Sequence, residues 1–536
     1  MNIPIQLSAN FGELRSNHFH MGLDMRTMGK ENLPLYAPAD GYISRAKIGQ
    51  NGFGRAIYIS HPNGYTTLYA HLNRFYDALE NFIHQKQYDD ESWEQDVTFT
   101  STMFLVQKGQ FIAYTGSTGA SEAPHLHFEI RDTKTDKNIN PLLFGFDITD
   151  KIPPVIYGLY WYDRRYSTYQ SNPATIVLSG KKGEYTSGSN TVKVSSPLIS
   201  LGIRAEDKSS NSPFLFGIYR AELWLDDSLI NAFTLNNISY KDTRYSNACI
   251  DYSKWKTSGI YIQHLSFLPG NFLSIFDNVG SNGVIILTDT LPHNINIAVS
   301  DAYGNTSNVN VKMQFDGSLQ LPYSYPQNAK MLLPDQENNV TGNNVEIRFS
   351  KFAFYDVVPF LWYEQNNFGI NKASAFITLY NPTVPVHDNF SISIKTTFAL
   401  NDTLRERTVM QLVSGNTKST VKGDWKGDWM TARFNRFGTV QLLIDTVPPV
   451  IQISGWKDGQ KFSGATKTLR LLCKDDVDDV TDFRAELDGK WLLFEQKGNI
   501  FTYRFDEHCM AGNHQLNVMV KDIAGNTTQK TFSFVK

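Results

Sequence analysis

Short runs of alternating hydrophobic and polar residues, bounded by turn-forming residues, recur along the chain. Alternation with a period of two predicts strands with one buried face. The sequence His61-Pro62-Asn63-Gly64 between two such runs is typical of a hairpin, because asparagine and glycine tolerate the positive φ of a tight turn. The N-terminal region is therefore predicted to be an antiparallel sheet, with strands at 41–47, 55–60, 65–71, 104–106 and 111–114.

One segment of this region has a different pattern. Leu79, Phe82 and Ile83 follow the spacing of an α-helix within residues 76–94. We therefore expect a short amphipathic helix inserted between two strands.

Three motifs occur twice and in the same order further along the chain. They are Asp-x-x-Pro-Pro-Val-Ile (150–156 and 445–451), Arg-Ala-Glu-Leu (220–223 and 484–487) and Asp-x-x-Gly-Asn-Thr (301–306 and 522–527). This order predicts two copies of one domain, the first expanded. Paired prolines fix φ and disfavour helix before them, so both Pro-Pro sites are predicted to be domain boundaries.

The second copy has strands at the spacing of a seven-stranded sandwich, and its last motif resembles the final hairpin of bacterial immunoglobulin-like domains. The predicted domains are an N-terminal antiparallel β domain (1–149), an expanded β-sandwich (150–318), a β-rich domain (319–444) and an immunoglobulin-like sandwich (445–536).

Composition agrees with a protein of several β domains. A chain of 536 residues should hold three or four domains at roughly 150 residues each. Hydrophobic residues make up 41% and charged residues 19%, which excludes disorder, and no apolar run is long enough for a transmembrane segment. Aromatic residues reach 13%, which favours strands, and the fold class is predicted to be mostly β.

Net charge, cysteine content and the N-terminal segment bear on the partners, the redox state and the location of the protein. The net charge is −3 and there is no basic run, so no nucleic acid partner is expected. Cys473 and Cys509 could form a disulfide in an oxidising compartment or remain buried thiols. No signal peptide is visible in residues 1–19, so the protein is either cytoplasmic or made with a leader that precedes Met1.

Histidines mark the N-terminal region as the place of chemistry, since it holds seven of the twelve. In the sequence His125-Leu126-His127-Phe128-Glu129 the two histidines and the glutamate share one face of a strand. Two imidazoles and a carboxylate would make a three-ligand zinc site with a fourth position open for water. A solvated or hydrogen-bonded histidine pair is the alternative for this motif alone.

The flanking sequence closely resembles the lysostaphin/LytM-type zinc metallopeptidases over residues 10–145, in segments 52–55, 61–72, 116–119 and 124–131 and in His20-Met21-Gly22-Leu23-Asp24. The resemblance implies that residues 1–149 are a zinc metallopeptidase domain with a small antiparallel β fold, the duplicated hybrid motif fold. It implies one Zn²⁺ per chain bound by His20, Asp24 and His127, with His71 and His125 as catalytic residues. Members of this family mostly cut peptide bonds in the cross-links and stems of peptidoglycan.

The residue chemistry agrees with that assignment. The sequence has no His-Glu-x-x-His motif, so a histidine, whose ordinary pKa is about 6.5, is the fitting general base. His71 or His125 would accept the proton of the water activated by the metal and the other would stabilise the oxyanion, in an order that the sequence leaves open. Glu129 would either orient an imidazole or form a surface salt bridge.

Other conspicuous polar residues favour structural roles. His18 is expected at the groove or surface, His61 in a solvated turn and His84 on the inserted helix. The acidic run of Asp475, Asp476, Asp478 and Asp479 could bind calcium but lacks the spacing and glycine of an EF-hand.

The segment 76–103 is longer than the connection expected in this family. It would form either a wall or lid over the groove or an ornament on the sheet edge.

Three functions remain in view. The first is a zinc endopeptidase acting on peptidoglycan peptides, cleaving either a D-Ala to diaminopimelate cross-link or a glycine-rich bridge, with the sandwiches as spacers, wall-binding or regulatory modules. The second is a catalytically silent LytM-like regulator that binds and activates another cell-wall hydrolase, and the third is a surface adhesin. The complete set of five site residues favours the enzyme, and a wall substrate predicts an extracytoplasmic location.

Overall fold

The fold is mostly β, as the sequence predicts. A computed structural model describes residues 1, 3–181, 183–210, 212–277, 281–319, 326–366, 369 and 371–536. These residues form 49 strands and three short α-helices. Within the same ranges, no helix is both long and apolar enough to cross a membrane.

The N-terminal region contains the predicted strands and the inserted helix. Its elements are β1 (Leu7–Ala9), β2 (Leu14–Arg15), β3 (His18–Phe19), β4 (Leu23–Arg26), β5 (Pro34–Tyr36), β6 (Gly41–Ile48), β7 (Arg55–Ser60), β8 (Tyr65–Ala70), β9 (Leu72–Phe75), helix α1 (Asp77–Asp89), β10 (Gln95–Thr98), β11 (Leu105–Val106), β12 (Phe111–Thr115), β13 (His125–Asp132), β14 (Asn138–Ile139) and a 3-10 helix (Pro141–Phe144).

An antiparallel sheet runs through this region in the order β1-β4-β13-β8-β7-β6-β10, and a smaller sheet, β5-β12-β9, packs beside it. Strand β13 lies between β4 and β8. Its alternate residues Leu126, Phe128 and Ile130 are buried in the core between the two sheets. His125, His127 and Glu129 therefore face the opposite side, as the period of two predicts.

The next region is a two-sheet sandwich. Its elements are β15 (Val155–Asp163), β16 (Ala174–Ile176), β17 (Leu178–Lys181), β18 (Glu184–Ser187), β19 (Val192–Val194), β20 (Leu198–Lys208), β21 (Leu215–Phe216), β22 (Arg220–Leu225), β23 (Ser228–Thr234), β24 (Asn237–Ile238), a 3-10 helix (Thr243–Ala248), α2 (Tyr252–Ser258), β25 (Gln263–His264), β26 (Val284–Ile286), β27 (His293–Ser300), β28 (Thr306–Phe315) and a 3-10 helix (Gly317–Leu319). One sheet is built on β15 and β20 and the other on β28, β27 and β22.

The third region has two five-stranded sheets, β30-β31-β35-β39-β38 and β33-β34-β40-β36-β37. Residues 320–325, at the predicted start of this domain, lie outside the described residues. The elements of the region are β29 (Lys330–Leu332), β30 (Asn338–Thr341), β31 (Val345–Phe349), β32 (Val358–Phe360), β33 (Trp362–Gln365), β34 (Phe376–Leu379), β35 (Pro385–Lys395), α3 (Asp402–Glu406), β36 (Thr408–Ser414), β37 (Thr417–Val421), β38 (Asp424–Lys426), β39 (Trp429–Arg436) and β40 (Thr439–Ile444).

The C-terminal region is a smaller sandwich of the sheets β41-β43-β47-β46 and β42-β49-β48-β44-β45. Its immunoglobulin-like character stays a prediction. The strands are β41 (Val450–Ser454), β42 (Gln460–Lys461), β43 (Thr468–Lys474), β44 (Asp482–Leu487), β45 (Lys490–Trp491), β46 (Glu495–Lys497), β47 (Ile500–Arg504), β48 (Asn513–Lys521) and β49 (Thr527–Val535). Both Arg-Ala-Glu-Leu motifs lie in a strand, and all three cysteines are buried free thiols.

The first two regions share part of their hydrophobic packing. Phe11, Phe19 and Met21 are buried in one cluster with side chains of the second region. Asn10 exchanges two hydrogen bonds with the backbone of Gly217, and β14 pairs with β24. The boundary at residues 149 and 150 stays a prediction, but Phe11, Phe19 and Met21 on its N-terminal side pack into the core of the region that follows it.

The inserted segment packs on the sheet and also contacts the C-terminal sandwich. The ring of Tyr88 stacks on His508 at a centroid distance of 3.6 Å, and its hydroxyl donates to Asp506 at 2.8 Å. Arg484 pairs with Glu91 at 2.7 Å. Glu80 and Trp93 line a cleft of about 690 Å³ between the N-terminal region and this sandwich. The insertion is thus an interdomain contact and a wall of that cleft.

Candidate metal centre

Three side chains meet at one point on the face of β13 that lies away from its core. His20 Nε2, Asp24 Oδ1 and His127 Nδ1 lie 2.9 to 3.0 Å from one another. Asp24 and His127 are directly opposite across the β4–β13 pair, and His20 precedes β4 by a short turn. The strand register therefore places a carboxylate beside an imidazole without a long loop.

The spacing of these three atoms fits a small metal ion. Tetrahedral ligand atoms about 2.0 Å from zinc lie roughly 3.3 Å apart, close to the distances found here. Two imidazole nitrogens and one carboxylate oxygen are a donor set that zinc accepts, and three protein ligands leave a fourth position open.

Hydrogen bonds behind each imidazole fix which nitrogen faces this point. His20 Nδ1 lies 2.8 Å from the Asn10 carbonyl, which can only accept, so this nitrogen carries the proton. His127 Nε2 donates to Glu129 at 2.9 Å. Each ring is thereby held with its other nitrogen turned towards Asp24, as metal-binding histidines require.

Glu129 is fully buried, so the expectation of a surface salt bridge is wrong. Its second oxygen accepts from Arg131 at 2.8 Å, and this guanidinium is itself only 5% exposed. Burial raises the pKa of Glu129, but Arg131 and the bond from His127 outweigh it and lower the pKa to about 2. A permanent carboxylate therefore lies behind His127 and favours positive charge at this centre.

The two acidic side chains also act on His127 itself. Burial lowers the pKa of His127, but its hydrogen bonds to Asp24 and Glu129 raise it to about 9. The pKa of Asp24 is held well below its ordinary value, against its burial, by the charges and hydrogen bonds of His20 and His127. Both carboxylates thus favour positive charge at this centre.

His71 and His125 lie next to the three converging residues. Their rings are 4.7 Å apart, and His125 Nε2 is 3.6 Å from Asp24 Oδ1. His71 Nδ1 donates to the Thr118 carbonyl at 2.8 Å, and His125 Nδ1 donates to the Ala123 carbonyl at 2.8 Å. In the neutral form of either ring, the lone pair is therefore on Nε2.

His71 has an unusual backbone conformation for a residue with a side chain. Its φ is +60°, so β8 ends at Ala70, one residue earlier than the alternation predicts. Its N–H donates to the Phe53 carbonyl at 2.9 Å. Burial, followed by the neighbouring His127 and His125, lowers the pKa of His71 to about 4, so this ring is neutral at pH 7. Such a costly conformation persists only where surrounding contacts impose it.

Two loops that support His71 touch through glycines. Gly54 and Gly119 both have positive φ, and a Cβ on Gly119 would lie 2.3 Å from the nitrogen of Gly54. The loop of Gly54 supplies the Phe53 carbonyl, and the loop of Gly119 supplies the Thr118 carbonyl.

Tyr240, from the second region, also reaches this centre. Its hydroxyl donates to Glu129 Oε1 at 2.5 Å, its ring lies 6.1 Å from Phe53, and the Arg131 guanidinium lies 4.9 Å from the ring centroid. No motif in the sequence marks Tyr240, because its role depends on a contact between distant parts of the chain.

The remaining N-terminal histidines lie apart from the centre. His18 is exposed, as expected. His61 is buried and not solvated, because its two ring nitrogens contact the Asp40 carbonyl and the Thr67 hydroxyl, both at 2.8 Å. His84 is on α1, 3.4 Å from Asp506 of the C-terminal sandwich.

Comparison with known proteins agrees with this architecture. The model of peptidase family M23 matches residues 18–88 and 99–141, with its gap in the inserted segment. The N-terminal region is an M23 peptidase domain. A second model, the Zu5-like domain, matches residues 329–445.

Two curated relatives are similar to the M23 domain. DD-carboxypeptidase/endopeptidase Mpg of Neisseria meningitidis is 35% identical over 118 residues, which are 22% of this chain and 21% of that protein. Murein hydrolase activator NlpD of Salmonella dublin is 31% identical over 135 residues, 25% of this chain and 28% of that protein. The chain thus spans less than a third of the length of either relative.

Among solved structures, the chain is similar to the catalytic domain of lysostaphin from Staphylococcus simulans. It is 24% identical, covers 26% of this chain and 91% of that domain, and has a TM-score of 0.20.

The buried pair of Glu129 and Arg131 can be tested against an exposed pair on the same arginine. Glu129→Ala removes the buried carboxylate partner of the Arg131 guanidinium, leaves it only the exposed Asp136, and should lower the local stability of β13 by about 3–5 kcal/mol. Asp136→Ala removes the 3.0 Å exposed pair of Arg131 and should cost about 0–1 kcal/mol. Hydrogen exchange of peptides covering β13 measures the loss of local stability in each variant. Equal losses would contradict the conclusion that the buried Glu129 is the main partner of Arg131.

A second test concerns the contact between the glycine loops. Gly119→Ala should push the two loops apart and displace His71, while the three converging residues keep their places. The turnover of the hydrolysis proposed below should therefore fall. Gly64→Ala is a matched control, since Gly64 also has positive φ but has open space around its Cβ. Turnover should fall much further in Gly119→Ala, and equal activities would show that the loop contact does not position His71.

Proposed function

We propose that this protein is a zinc-dependent endopeptidase that hydrolyses peptide bonds in the cross-links or stems of peptidoglycan. One zinc would be held by His20 Nε2, Asp24 Oδ1 and His127 Nδ1. The observation that carries the proposal is the convergence of these three atoms within 3.0 Å, with His71 and His125 beside them. The groups that the chemistry would need lie together beside the neighbouring strands β4, β13 and β8.

When bound, zinc lowers the pKa of water towards 7 and polarises the scissile carbonyl. The chain's own part is to hold and move protons. His71 and His125 both donate Nδ1–H to a backbone carbonyl, so each offers only its Nε2 lone pair to the substrate side. Either ring can therefore act first as a general base.

The same hydrogen bonds restrict how an oxyanion is stabilised. A ring whose Nδ1–H is committed to a carbonyl can donate from Nε2 only after Nε2 gains a proton. The residue that stabilises the oxyanion is then cationic while it does so, which strengthens its hydrogen bond to negative charge. His71 and His125 remain the two candidates for the two roles.

Peptidoglycan is proposed as substrate because of the relatives. One has the name DD-carboxypeptidase/endopeptidase and another is a murein hydrolase activator. Murein is the polymer of the cell wall, and a wall substrate requires an extracytoplasmic location. The downstream sandwiches would position the M23 domain on the wall or on another protein.

A catalytically silent regulator is the second candidate, since NlpD is described as an activator. A regulator of this kind needs no zinc ligands and no proton-transfer residues. This chain keeps all five residues, and hydrogen bonds orient the rings of the four histidines. This favours the enzyme. Digestion of purified sacculi, with mass spectrometry of the released muropeptides, separates the two candidates and identifies the bond cleaved.

Removal of one proposed ligand should abolish metal binding. His127→Ala leaves two ligands and should lose most bound zinc and all detectable hydrolysis, because a two-ligand site holds zinc far more weakly. His18→Ala is the matched control, as this exposed histidine lies outside the centre. Elemental analysis measures zinc, and stoichiometric zinc in folded His127→Ala would overturn the ligand assignment.

Variants of the two other histidines should distinguish zinc binding from catalytic turnover. His71→Ala and His125→Ala should each keep zinc and lose turnover by about 10² or more, the scale of general acid–base and oxyanion contributions. Zinc content and muropeptide release are measured on the same samples. Loss of zinc in proportion to loss of turnover in either variant would make that histidine a ligand.

A further inference from the structure

The two copies of the internal repeat each bring three carboxylates together. In the first copy these belong to Asp150, Asp207 and Asp301, and in the second to Asp445, Asp475 and Asp522. In each set, one carboxylate oxygen from every residue lies within 4.8 Å of the others. Neither set contains a residue of the M23 centre, and neither takes part in the proposed hydrolysis.

The members of the two sets occupy equivalent places in the fold. Asp150 and Asp445 begin the Pro-Pro linkers, and Asp301 and Asp522 begin the Asp-x-x-Gly-Asn-Thr motifs. Asp207 lies near the end of β20 and Asp475 directly after β43, and these strands pair with the first strand of their own copy, β15 and β41. The aspartate cluster is therefore a feature of the repeated domain and occurs once in each copy.

Hydrogen bonds occupy only part of each cluster. In the second copy Asp445 Oδ1 accepts from the N–H of Val447 and Asp475 Oδ2 from the N–H of Val477, both at 3.0 Å. Asp522 binds the backbone and side-chain nitrogens of Asn526, both at 2.8 Å. These bonds leave Asp445 Oδ2 and Asp475 Oδ1 buried with no partner among the described residues.

The first copy repeats this pattern. Asp301 binds the backbone and side-chain nitrogens of Asn305 at 2.9 and 2.6 Å, and Asp150 accepts from the N–H of Ile152 at 3.1 Å. Asp207 Oδ1 is buried and has no partner in the described structure. Asp207 is 5% exposed and Asp445 only 2% exposed, so both carboxyl groups are removed from bulk solvent and an unpartnered oxygen is costly there.

In the part of the chain that the structure describes, no ion pair neutralises either cluster, although Lys422 lies close enough to Asp522 to interact with its charge. Within the described ranges, none of the six carboxylates forms a salt bridge with lysine, arginine or histidine. Burial, followed by the charge of Asp301, raises the pKa of Asp207 to about 8. Burial, together with Asp475 and Asp522, raises the pKa of Asp445 to about 6. Buried carboxylates that face one another are stable only if they share protons or a cation.

We propose that each copy of the repeat binds one calcium ion through its three aspartates. The donors are all carboxylate oxygens, the hard ligands that Ca²⁺ prefers, and no imidazole or thiolate in these clusters would favour a softer metal. Asp150 and Asp445 come from the linkers that enter each sandwich. A bound cation therefore ties each linker to the domain that follows and restricts the angle between neighbouring domains.

This site differs from the calcium site considered from the sequence. That possibility rested on the run of Asp475, Asp476, Asp478 and Asp479, which lacks an EF-hand pattern. Only Asp475 of this run belongs to the cluster. Its partners Asp445 and Asp522 lie about 30 and 47 positions away along the chain, and the sandwich topology brings them together.

Calcium titration of the full-length, zinc-loaded protein tests the proposal. Isothermal titration with CaCl₂ should give two ions per chain in the wild type, one in Asp207→Asn, one in Asp475→Asn and none in the double variant. Asp479→Asn is the matched control, because Asp479 is exposed, belongs to the same acidic run and lies outside the cluster, and it should still bind two. Zinc content measured before and after shows that calcium does not enter the M23 centre.

Thermal unfolding gives an independent readout. Calcium should raise the melting temperature of the wild type and leave that of the double variant unchanged, since a ligand stabilises only a state that binds it. Circular dichroism checks that the variants fold. No calcium binding by the wild type, or two ions still bound by the folded double variant, would overturn the proposal, as would saturable heat with MgCl₂ and none with CaCl₂.

Discussion

The pairing of β4 with β13 is the constraint on which the centre depends. It places Asp24 opposite His127, and the short turn before β4 brings His20 to the same point. A slip of one residue would turn His127 into the core and Leu126 outward, so the hydrophobic face of β13 and the polar face define one register together. The buried Leu126, Phe128 and Ile130 thus hold the position of the centre although they touch none of the chemistry.

Beyond the sheet, a layer of hydrogen bonds decides what the centre can do. Backbone carbonyls of Asn10, Thr118 and Ala123 orient three of the four imidazoles, and buried Glu129 orients the fourth. Tyr240 extends this layer into the second region. The M23 domain is therefore supported partly from outside its own sequence, which makes the sandwich next to it more than a spacer.

Much of this arrangement could be predicted from the sequence. Period-two alternation predicted the strands and the face shared by His125, His127 and Glu129, because side-chain direction in a strand is a local property. Local pattern could not predict that Glu129 and His61 are buried, since burial depends on what packs over them. It also missed Tyr240 and the aspartate clusters, which join residues far apart along the chain.

The most direct test of the central claim is a crystal structure of the zinc-loaded protein with diffraction data collected on both sides of the zinc absorption edge. We expect one anomalous peak in the M23 domain, about 2.0–2.2 Å from His20 Nε2, Asp24 Oδ1 and His127 Nδ1. His71 and His125 should lie near the ion without binding it directly. A peak elsewhere, or none in this domain at full zinc loading, would contradict the account.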